Sequence, residues 1–410
     1  MKIKITTILV FILLVSACFC QGKGKKNKKK RKASKTTKVS EAKAYTHPKD
    51  SDILQKELGI FHILKYNNYN LKKRLTPAER VAVEEMFKKL EKNFQENRYI
   101  NGISPVIFWN WLEPKEDQYE FASLKRIADL CKKYDKGFKL IIIPGIRSPK
   151  WVHKHCETIT FEEDGKEYVV PVPWDKGFKK HWKELLTEVN RQFSPYENFA
   201  AITLAGANHR WAETDMPRTP DAVKQWEKYG DYKKKTADFW KEMVDFYAET
   251  FKKQHIAIHI RVPFAGMYKE YVEIIDRGLK KCPDRITLQN CQLTGTDDNF
   301  YSQTYSYVHH YRNSLHVGFQ SLTSEMGDPE RFGNRQLLIY NMINANAAYI
   351  EIFPEDGFNK TYIESFYKEW KNAEEMGAIE YKKLIKKQGK YKESGKKRKV
   401  NYSELYHQYH

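Results

Sequence analysis

The sequence predicts a single (β/α)8 barrel. Eight apolar segments of strand length alternate with amphipathic helical segments over residues 50–381. This length lies within the usual range for one α/β barrel. A doubly wound sheet is disfavoured because no glycine-rich phosphate loop follows the first predicted strand.

The predicted strands share an apolar character and a short length. They cover residues 58–63, 103–109, 139–144, 200–206, 255–262, 285–290, 315–320 and 348–353. The helices between them carry recognisable start signals. Thr76-Pro-Ala-Glu79 has the pattern of a capping box with proline at the first helical position, and Asp175 is placed to cap another helix. The aromatic residues on the helix faces are expected to form the core.

The N-terminal segment, residues 1–20, is predicted to be a signal for export. Two lysines precede an uncharged segment, Ile5–Ala17, which is too short to span a bilayer. Val15-Ser-Ala-Cys18 resembles a bacterial lipobox, in which Cys18 would be lipidated and the mature chain held in the cell envelope. The alternative is ordinary cleavage near Cys20-Gln21, which would give a secreted protein. Both alternatives export the chain.

The positive charge is concentrated near the two ends. Of the formal net charge of +20, residues 21–43 contribute +10, residues 382–399 contribute +9 and the signal +2, which leaves −1 for the rest. We therefore expect a basic, disordered linker over 21–49 and a basic, disordered tail over 382–410. Such segments would bind polyanions or a membrane surface nonspecifically. Nucleic acid is not an expected partner, because no recognition motif occurs in the barrel.

Strand parity predicts polar side chains inside the barrel. Alternate residues of a barrel strand face the axis, and the residues that alternate with the apolar positions of the last four strands are mostly polar. These predicted inward residues are His259, Arg261, Thr287, Gln289, His316, Gln320 and Glu351. They lie toward the carboxyl ends of their strands, where barrel enzymes build their sites.

The segments that follow the strands carry aromatic and acidic residues. Trp109-Asn-Trp-Leu-Glu-Pro114 follows the second strand, and further tryptophans follow the third and fourth. Indole rings stack on the apolar faces of sugars, and carboxylates accept hydrogen bonds from hydroxyl groups. The predicted sugar-binding residues are Trp109, Trp111, Glu113, Arg147, Trp151, Trp174, Asn208, His209, Arg210, Trp211, His259, Arg261, Gln289 and Gln320.

Three motifs resemble those of a known enzyme clan. The Trp-x-Trp-Leu-Glu-Pro segment followed by Tyr119-Glu-Phe121, then Gly145-Ile-Arg-Ser-Pro-Lys-Trp151, then Val172-Pro-Trp-Asp175, are similar to segments of clan A glycoside hydrolases, especially the β-galactosidase-like family 42. The resemblance implies a (β/α)8 barrel that hydrolyses the glycosidic bonds of an oligo- or polysaccharide with two carboxyl groups.

The chain also departs from that family. Its members usually place an Asn-Glu pair after the fourth strand and a second Glu after the seventh, whereas here the seventh strand ends in Gln320. By position, Glu213 would replace the first carboxylate, and either Glu351 or Glu325 the second. Asp117 stands where the family commonly has glycine. These departures keep open a non-catalytic carbohydrate-binding barrel, and also an enzyme of another chemistry or a cell-envelope scaffold.

No metal or cofactor is expected. The four cysteines outside the signal, Cys131, Cys156, Cys282 and Cys291, are widely spaced and form no Cys-x-x-Cys pair. His-Glu-x-x-His and nucleotide-binding loops are also missing. The pairing of the cysteines, the identity of the sugar, the stereochemical outcome and the oligomeric state are left open by the sequence.

Overall fold

A closed barrel of eight parallel strands forms the centre of the protein. The computed structural model describes residues 58–65, 76–296 and 302–390. The strands are β1 Gly59–Leu64, β2 Ile100–Phe108, β3 Gly137–Ile143, β6 Phe199–Thr203, β7 His255–His259, β8 Ile286–Leu293, β9 His316–Ser321 and β10 Ala347–Ile352. Their order around the barrel is β1-β10-β9-β8-β7-β6-β3-β2, each strand parallel to its neighbours. The predicted fold and all eight predicted strands are confirmed.

Helices surround the barrel and connect its strands. They are α1 Pro77–Glu96, α2 Trp109–Leu112, α3 Ala122–Lys133, α4 Lys176–Phe193, α5 Pro220–Glu227, α6 Tyr232–Thr250, α7 Tyr268–Lys281, α8 Gln303–Tyr311, α9 Pro329–Phe332, α10 Arg335–Asn344, α11 Pro354–Gly357, α12 Lys360–Met376 and α13 Ala378–Lys387. None of the described helices is long and apolar enough to span a membrane.

The helix start signals in the sequence work as predicted. Thr76 and Glu79 form the reciprocal capping box that begins α1. Asp175 accepts hydrogen bonds from the main-chain N–H groups of Gly177 (2.7 Å) and Phe178 (3.1 Å) and so begins α4. The apolar faces of both helices are buried against the strands, which places the main core between the barrel and its helices.

An antiparallel hairpin, not predicted from the sequence, lies between β3 and α4. It consists of β4 Thr158–Glu163 and β5 Lys166–Pro171. Its turn, Asp164-Gly165, adopts positive φ angles of 54° and 70°, which suit a tight two-residue hairpin. Ile159 and Phe161 are buried. The hairpin therefore packs on the protein while its turn stays exposed.

The C-terminal boundary of the folded part lies later than predicted. Residues 382–387 were expected to belong to a disordered tail, but they form the second half of α13. Tyr381 and Ile385 on this helix are buried, and this burial explains why the segment is helical in spite of its many lysines. The signal, the linker and the tail beyond residue 390 lie outside the described residues. The four cysteines of the described chain are unpaired thiols.

Candidate active site

A fully buried polar network fills the inside of the barrel. Lys139 of β3 and Glu351 of β10 form an ion pair of 3.0 Å between Nζ and Oε1, and both side chains are 0% exposed. Ser104 Oγ donates to Glu351 Oε1 at 2.7 Å, and Gln289 Nε2 donates to Oε2 at 2.7 Å. Lys139 also donates to the Tyr349 hydroxyl at 2.6 Å. Each carboxylate oxygen of Glu351 is thus satisfied by the protein.

This network changes the interpretation of Glu351. Strand parity correctly predicts that Glu351 and Gln289 face the barrel axis. However, a carboxylate that is enclosed, paired with a lysine and hydrogen-bonded at both oxygens has no surface for a substrate. Two predictions are therefore corrected: Glu351 is not placed for catalysis, and Gln289 is not placed to bind sugar. Both side chains belong to the buried ion-pair network, where each charged group needs its partners from the protein itself.

Glu213 lies in the segment that follows β6, at the mouth of the barrel. Asn208 fixes this segment from within: its side-chain oxygen accepts from Gly206 N–H at 2.6 Å, and its amide donates to the main-chain carbonyl of Glu213. The segment also packs on the exit of β3, where Gly145 has a φ of 56° and a Cβ would stand 1.6 Å from the Asn208 carbonyl oxygen. Asn208, a predicted sugar ligand, is therefore a positioning residue.

The surroundings of Glu213 suit a proton donor. Burial in the barrel mouth, together with the negative charge of Asp215, raises the pKa of Glu213 to about 7. The positive charge of Arg261 lowers this pKa but does not outweigh the other two effects. Arg261 lies with its Nε 3.2 Å from Asp215 Oδ2, and its side chain is 41% exposed. At neutral pH, Glu213 is therefore partly protonated beside an accessible guanidinium group.

Cys291 on β8 lies near enough to Glu213 and Glu351 to be affected by the charges of both carboxyl groups. Burial raises the pKa of its thiol well above the usual value, and the charges of Glu213 and Glu351 raise it further. His259 lies close by at the end of β7, with Nε2 3.2 Å from Thr203 Oγ1. Burial and the charge of Lys139 lower the pKa of His259 well below its usual value, so this histidine is neutral.

The β4–β5 hairpin is connected to the Glu213 segment by polar and charged side chains. His209 Nε2 lies 2.7 Å from Glu163 Oε2, and Arg210 lies 2.9 Å from Glu163 and 2.8 Å from Asp164. His209 and Arg210 were predicted to bind sugar, but here they hold the hairpin beside the mouth. Sequence reasoning missed the partner Glu163, because no pattern links residues so far apart in the chain.

The tryptophans divide into core and surface residues. Trp109 is 0% exposed and packs against Trp182 with ring centroids 5.1 Å apart. Glu113, 2% exposed, accepts from Trp109 Nε1 at 2.9 Å and from Asp117 N–H at 3.1 Å. The predicted sugar-binding roles of Trp109 and Glu113 are therefore wrong: both residues build the turn after β2. Burial raises the pKa of Glu113 to about 7.

The other tryptophans keep some exposed surface. Trp211 is 56% exposed on the Glu213 segment and offers an open ring face. Trp111 is partly buried against Phe108, at a centroid distance of 5.4 Å, and Trp174 packs against Trp226 at 5.8 Å. Trp151 is partly buried and lines a cavity of about 360 Å³ with Asn110, Pro114, Lys115, Glu116, Ser148, Pro149 and Lys150. Arg147 lies on the Phe108 ring at 4.4 Å.

Glu325 follows β9 but is directed to the helix layer. Its carboxylate pairs with Arg335 at the start of α10 at 2.7 Å, and its side chain is 24% exposed. Asp356, which was not predicted as a site residue, is buried and accepts hydrogen bonds from the N–H groups of Glu325 (2.8 Å) and Met326 (3.0 Å).

The two predicted inward residues of β9 lie at opposite ends of the strand. Gln320 is partly exposed near the carboxyl end, whereas His316 is buried at the amino end, against His255.

Comparison with known proteins supports the resemblance seen in the motifs. The family model of glycoside hydrolase family 42, described as beta-galactosidase, matches residues 82–204, which end just before the Glu213 segment. No curated protein matches the chain significantly.

Several solved structures are similar to the chain. A β-galactosidase from the psychrophilic Marinomonas ef1 has a TM-score of 0.47 and 10% identity, over 85% of this chain and 61% of that one. A polyextremophilic β-galactosidase from the Antarctic haloarchaeon Halorubrum lacusprofundi has a TM-score of 0.49 and 10% identity, over 77% and 58%. A β-1,4-D-mannanase from Cryptopygus antarcticus has a TM-score of 0.45 and 10% identity, over 75% and 89%.

The family match and the structural similarities cover different lengths of the chain. The chain spans less than two thirds of the length of the two β-galactosidases. The family match, in contrast, covers β2, β3 and β6 and the two loops that carry the tryptophan motifs. The predicted resemblance is therefore confirmed: residues 82–204 match the beta-galactosidase family of glycoside hydrolases, within a closed barrel of eight parallel strands.

Proposed function

We propose that the protein is a glycoside hydrolase and that Glu213 is its general acid. The observation that carries this proposal is the pKa of about 7 for Glu213, at the mouth of a barrel with a family 42 segment. A carboxyl group with a raised pKa is protonated when a substrate arrives and ionises as it donates its proton. The other features of the site support this role.

Proton donation by Glu213 would act on the oxygen of the scissile glycosidic bond. As the bond breaks, that oxygen takes the proton and positive charge develops on the sugar ring. The nearby negative charge of Asp215 favours the protonated form of Glu213 before the substrate binds. Arg261 and the exposed ring of Trp211 are then the residues placed to orient an oligo- or polysaccharide.

The second carboxyl group is proposed to be Glu325. Of the two predicted partners of Glu213, Glu351 is fully enclosed, whereas the Glu325 side chain is 24% exposed. To act on a sugar or a water molecule, Glu325 must exchange its contact with Arg335 for the substrate. The pairing of Glu325 with Arg335 is also the observation that favours the alternative function. If Glu325 stays paired, the barrel binds carbohydrate without cleaving it.

Turnover of a defined substrate panel distinguishes the two functions. The panel comprises aryl β-galactosides, xylo-oligosaccharides and manno-oligosaccharides, and the variants are Glu213→Gln, Glu325→Gln and the exposed control Glu375→Gln. We expect wild type and the control to cleave one class, and Glu213→Gln to lose more activity on natural linkages than on aryl substrates with good leaving groups. Saturable sugar binding without turnover by wild type would instead establish the non-catalytic barrel.

We also propose that the chain is exported. This proposal rests on the sequence of residues 1–20 alone, because they lie outside the described part. Mass spectrometry of the native protein provides the test. Loss of the first residues with a lipid on Cys18 would identify a cell-envelope lipoprotein, an unmodified Gln21 terminus would identify a secreted form, and an intact Met1 would exclude export.

A further inference from the structure

Three side chains outside the barrel mouth form a cluster with metal-binding chemistry. They are Glu116 from the turn after β2, His155 from the segment after β3, and His181 from α4. One potential ligand atom from each lies within 4.8 Å of the other two. His155 Nε2 and Glu116 Oε2 are 3.6 Å apart, and the two imidazole centroids are 5.1 Å apart. Three distant parts of the chain thus bring two imidazoles and a carboxylate together.

His181 is held in the orientation that a metal ligand needs. Its Nδ1 lies 3.0 Å from Glu184 Oε2, one helical turn along α4, so Nε2 is the nitrogen left for a metal. Its ring packs edge-on against Trp151 at 5.1 Å, and the side chain is 7% exposed. A carboxylate behind the imidazole fixes its tautomer and ring orientation, as is usual for metal-bound histidines.

His155 is fixed by close packing of its backbone. Gly177, in the first turn of α4, contacts the His155 carbonyl so closely that a Cβ at this position would stand 1.8 Å from the oxygen. Asp175, which caps α4, holds the N–H of Gly177 at 2.7 Å. Gly177 precedes His181 by one turn, so this contact sets the position of His155 relative to His181.

Glu116 is placed by a tight turn. Lys115 and Gln118 pair across it, and Asp117 adopts a φ of 58°. The N–H of Asp117 donates to Glu113 Oε1 at 3.1 Å, which ties the turn to the buried Glu113. The side chains of Glu116 and His155 are 46% and 44% exposed, so both can move the short distance needed to close around an ion.

We propose that Glu116, His155 and His181 bind one divalent transition-metal ion, with zinc as the best fit. Zinc combines imidazole nitrogen with carboxylate oxygen, and its bonds of about 2.0 to 2.2 Å require only a modest closing of this cluster. Water would supply the fourth ligand. A harder ion such as Mg²⁺ would prefer an all-oxygen site. The expectation that the chain binds no metal rested on local motifs, which this cluster does not use.

The bound ion would connect the two loops that form the rim of the site. Glu116 also lines the 360 Å³ cavity that Trp151 and Asn110 share, so the metal lies at one wall of that cavity. Fixing Glu116 to His155 therefore fixes the distance between the loops after β2 and β3. This role is independent of the proposed hydrolase activity, since it concerns binding and rigidity alone.

Zinc binding to the full-length chain without an affinity tag tests the proposal. The protein is treated with a chelator, dialysed and titrated with ZnCl₂, and bound zinc is measured by mass spectrometry of the metal. We expect one equivalent in wild type and in His310→Ala, a control that removes an exposed histidine on α8. The equivalent should be lost in His155→Ala and His181→Ala, and Glu184→Gln should weaken binding about 10- to 100-fold.

Two further measurements guard against a misfolded variant. Glu116→Gln changes an exposed side chain and should fold normally, yet bind zinc at least about tenfold more weakly, since a charged ligand is removed. Zinc should raise the melting temperature of wild type and leave that of His155→Ala unchanged. Zinc-independent melting of wild type, or full binding by a folded His155→Ala/His181→Ala double variant, would overturn the proposal.

Discussion

Glu351 and Glu213 are two carboxyl groups of the same barrel in opposite environments. Glu351 lies inside the strands, where Lys139, Ser104 and Gln289 satisfy its oxygens and remove it from solvent. Glu213 lies just beyond the strand ends, where its strongest charged neighbour is the like charge of Asp215. The difference shows that position along the barrel axis decides whether a carboxylate stabilises the fold or is available for chemistry.

Glu213→Gln should produce the largest change in activity. If Glu213 is the general acid, removing its proton should lower kcat/KM on a natural glycoside about 100- to 10,000-fold. Unfolding at pH 4 should be nearly unaffected, because the wild-type carboxyl is then mostly protonated in both the folded and the unfolded state. Steady-state kinetics together with urea denaturation at pH 4 test both parts. An unchanged kcat/KM would show that another residue is the general acid.

Lys139→Met should produce the largest change in stability. It leaves the buried Glu351 side chain without its cationic partner, and breaking a buried ion pair in this way typically costs about 3 to 5 kcal/mol. The double variant Lys139→Met/Glu351→Met should recover most of that loss. Lys383→Met, which breaks the exposed pair with Glu380, should cost less than about 1 kcal/mol. Urea denaturation of the four proteins gives the comparison, and equal losses for the buried and exposed pairs would contradict it.

Glu213 should also make stability depend on pH. Its pKa is raised from 4.5 unfolded to about 7 folded, so the native state binds more protons between these values and stability falls as pH rises through them. The loss is on the order of 3 kcal/mol, at about 1.36 kcal/mol per pKa unit.

Comparison of wild type with Glu213→Gln isolates this contribution. The subtraction is needed because Glu113 titrates in the same direction, whereas His62, with a pKa lowered to about 3 by burial, adds stability as pH rises from 3 to 6.5. Glu213→Gln should therefore be the more stable protein at pH 8 and lose that advantage by pH 4. If the free energies of unfolding of the two proteins change in parallel with pH, the Glu213 carboxyl group has an ordinary pKa.

Asp215→Asn should have the smallest effect. Removing the neighbouring negative charge should lower the pKa of Glu213 by about one unit. The alkaline limb of the kcat/KM profile should then shift to lower pH, while activity at pH 5 changes little. A pH–rate profile measures the shift. A uniform loss at all pH values would instead mean that Asp215 binds substrate or holds Arg261 in place.

Local patterns predicted the barrel better than they predicted the site. Capping signals and alternating apolar residues located the strands and oriented Glu351, because both act over a few residues. Lys139, inside an apolar strand, was the available sign that Glu351 has an internal partner. The predicted sugar-binding roles of Trp109 and Glu113 are wrong because the sequence cannot show whether a residue that follows a strand faces the solvent or packs in the core. The histidine cluster joins residues from three elements, so no short motif contains it.

The β4–β5 hairpin lies beside the barrel mouth and can be redesigned without changing the barrel itself. At its turn, a Cβ added to Gly165 would meet nothing within 4 Å, whereas Glu163 and Asp164 reach the Glu213 segment. Residues inserted between Asp164 and Gly165 would extend over the mouth without entering the core. Loop libraries at this point offer a route to altered ligand selectivity, and a fluorophore attached there would report on ligand entry.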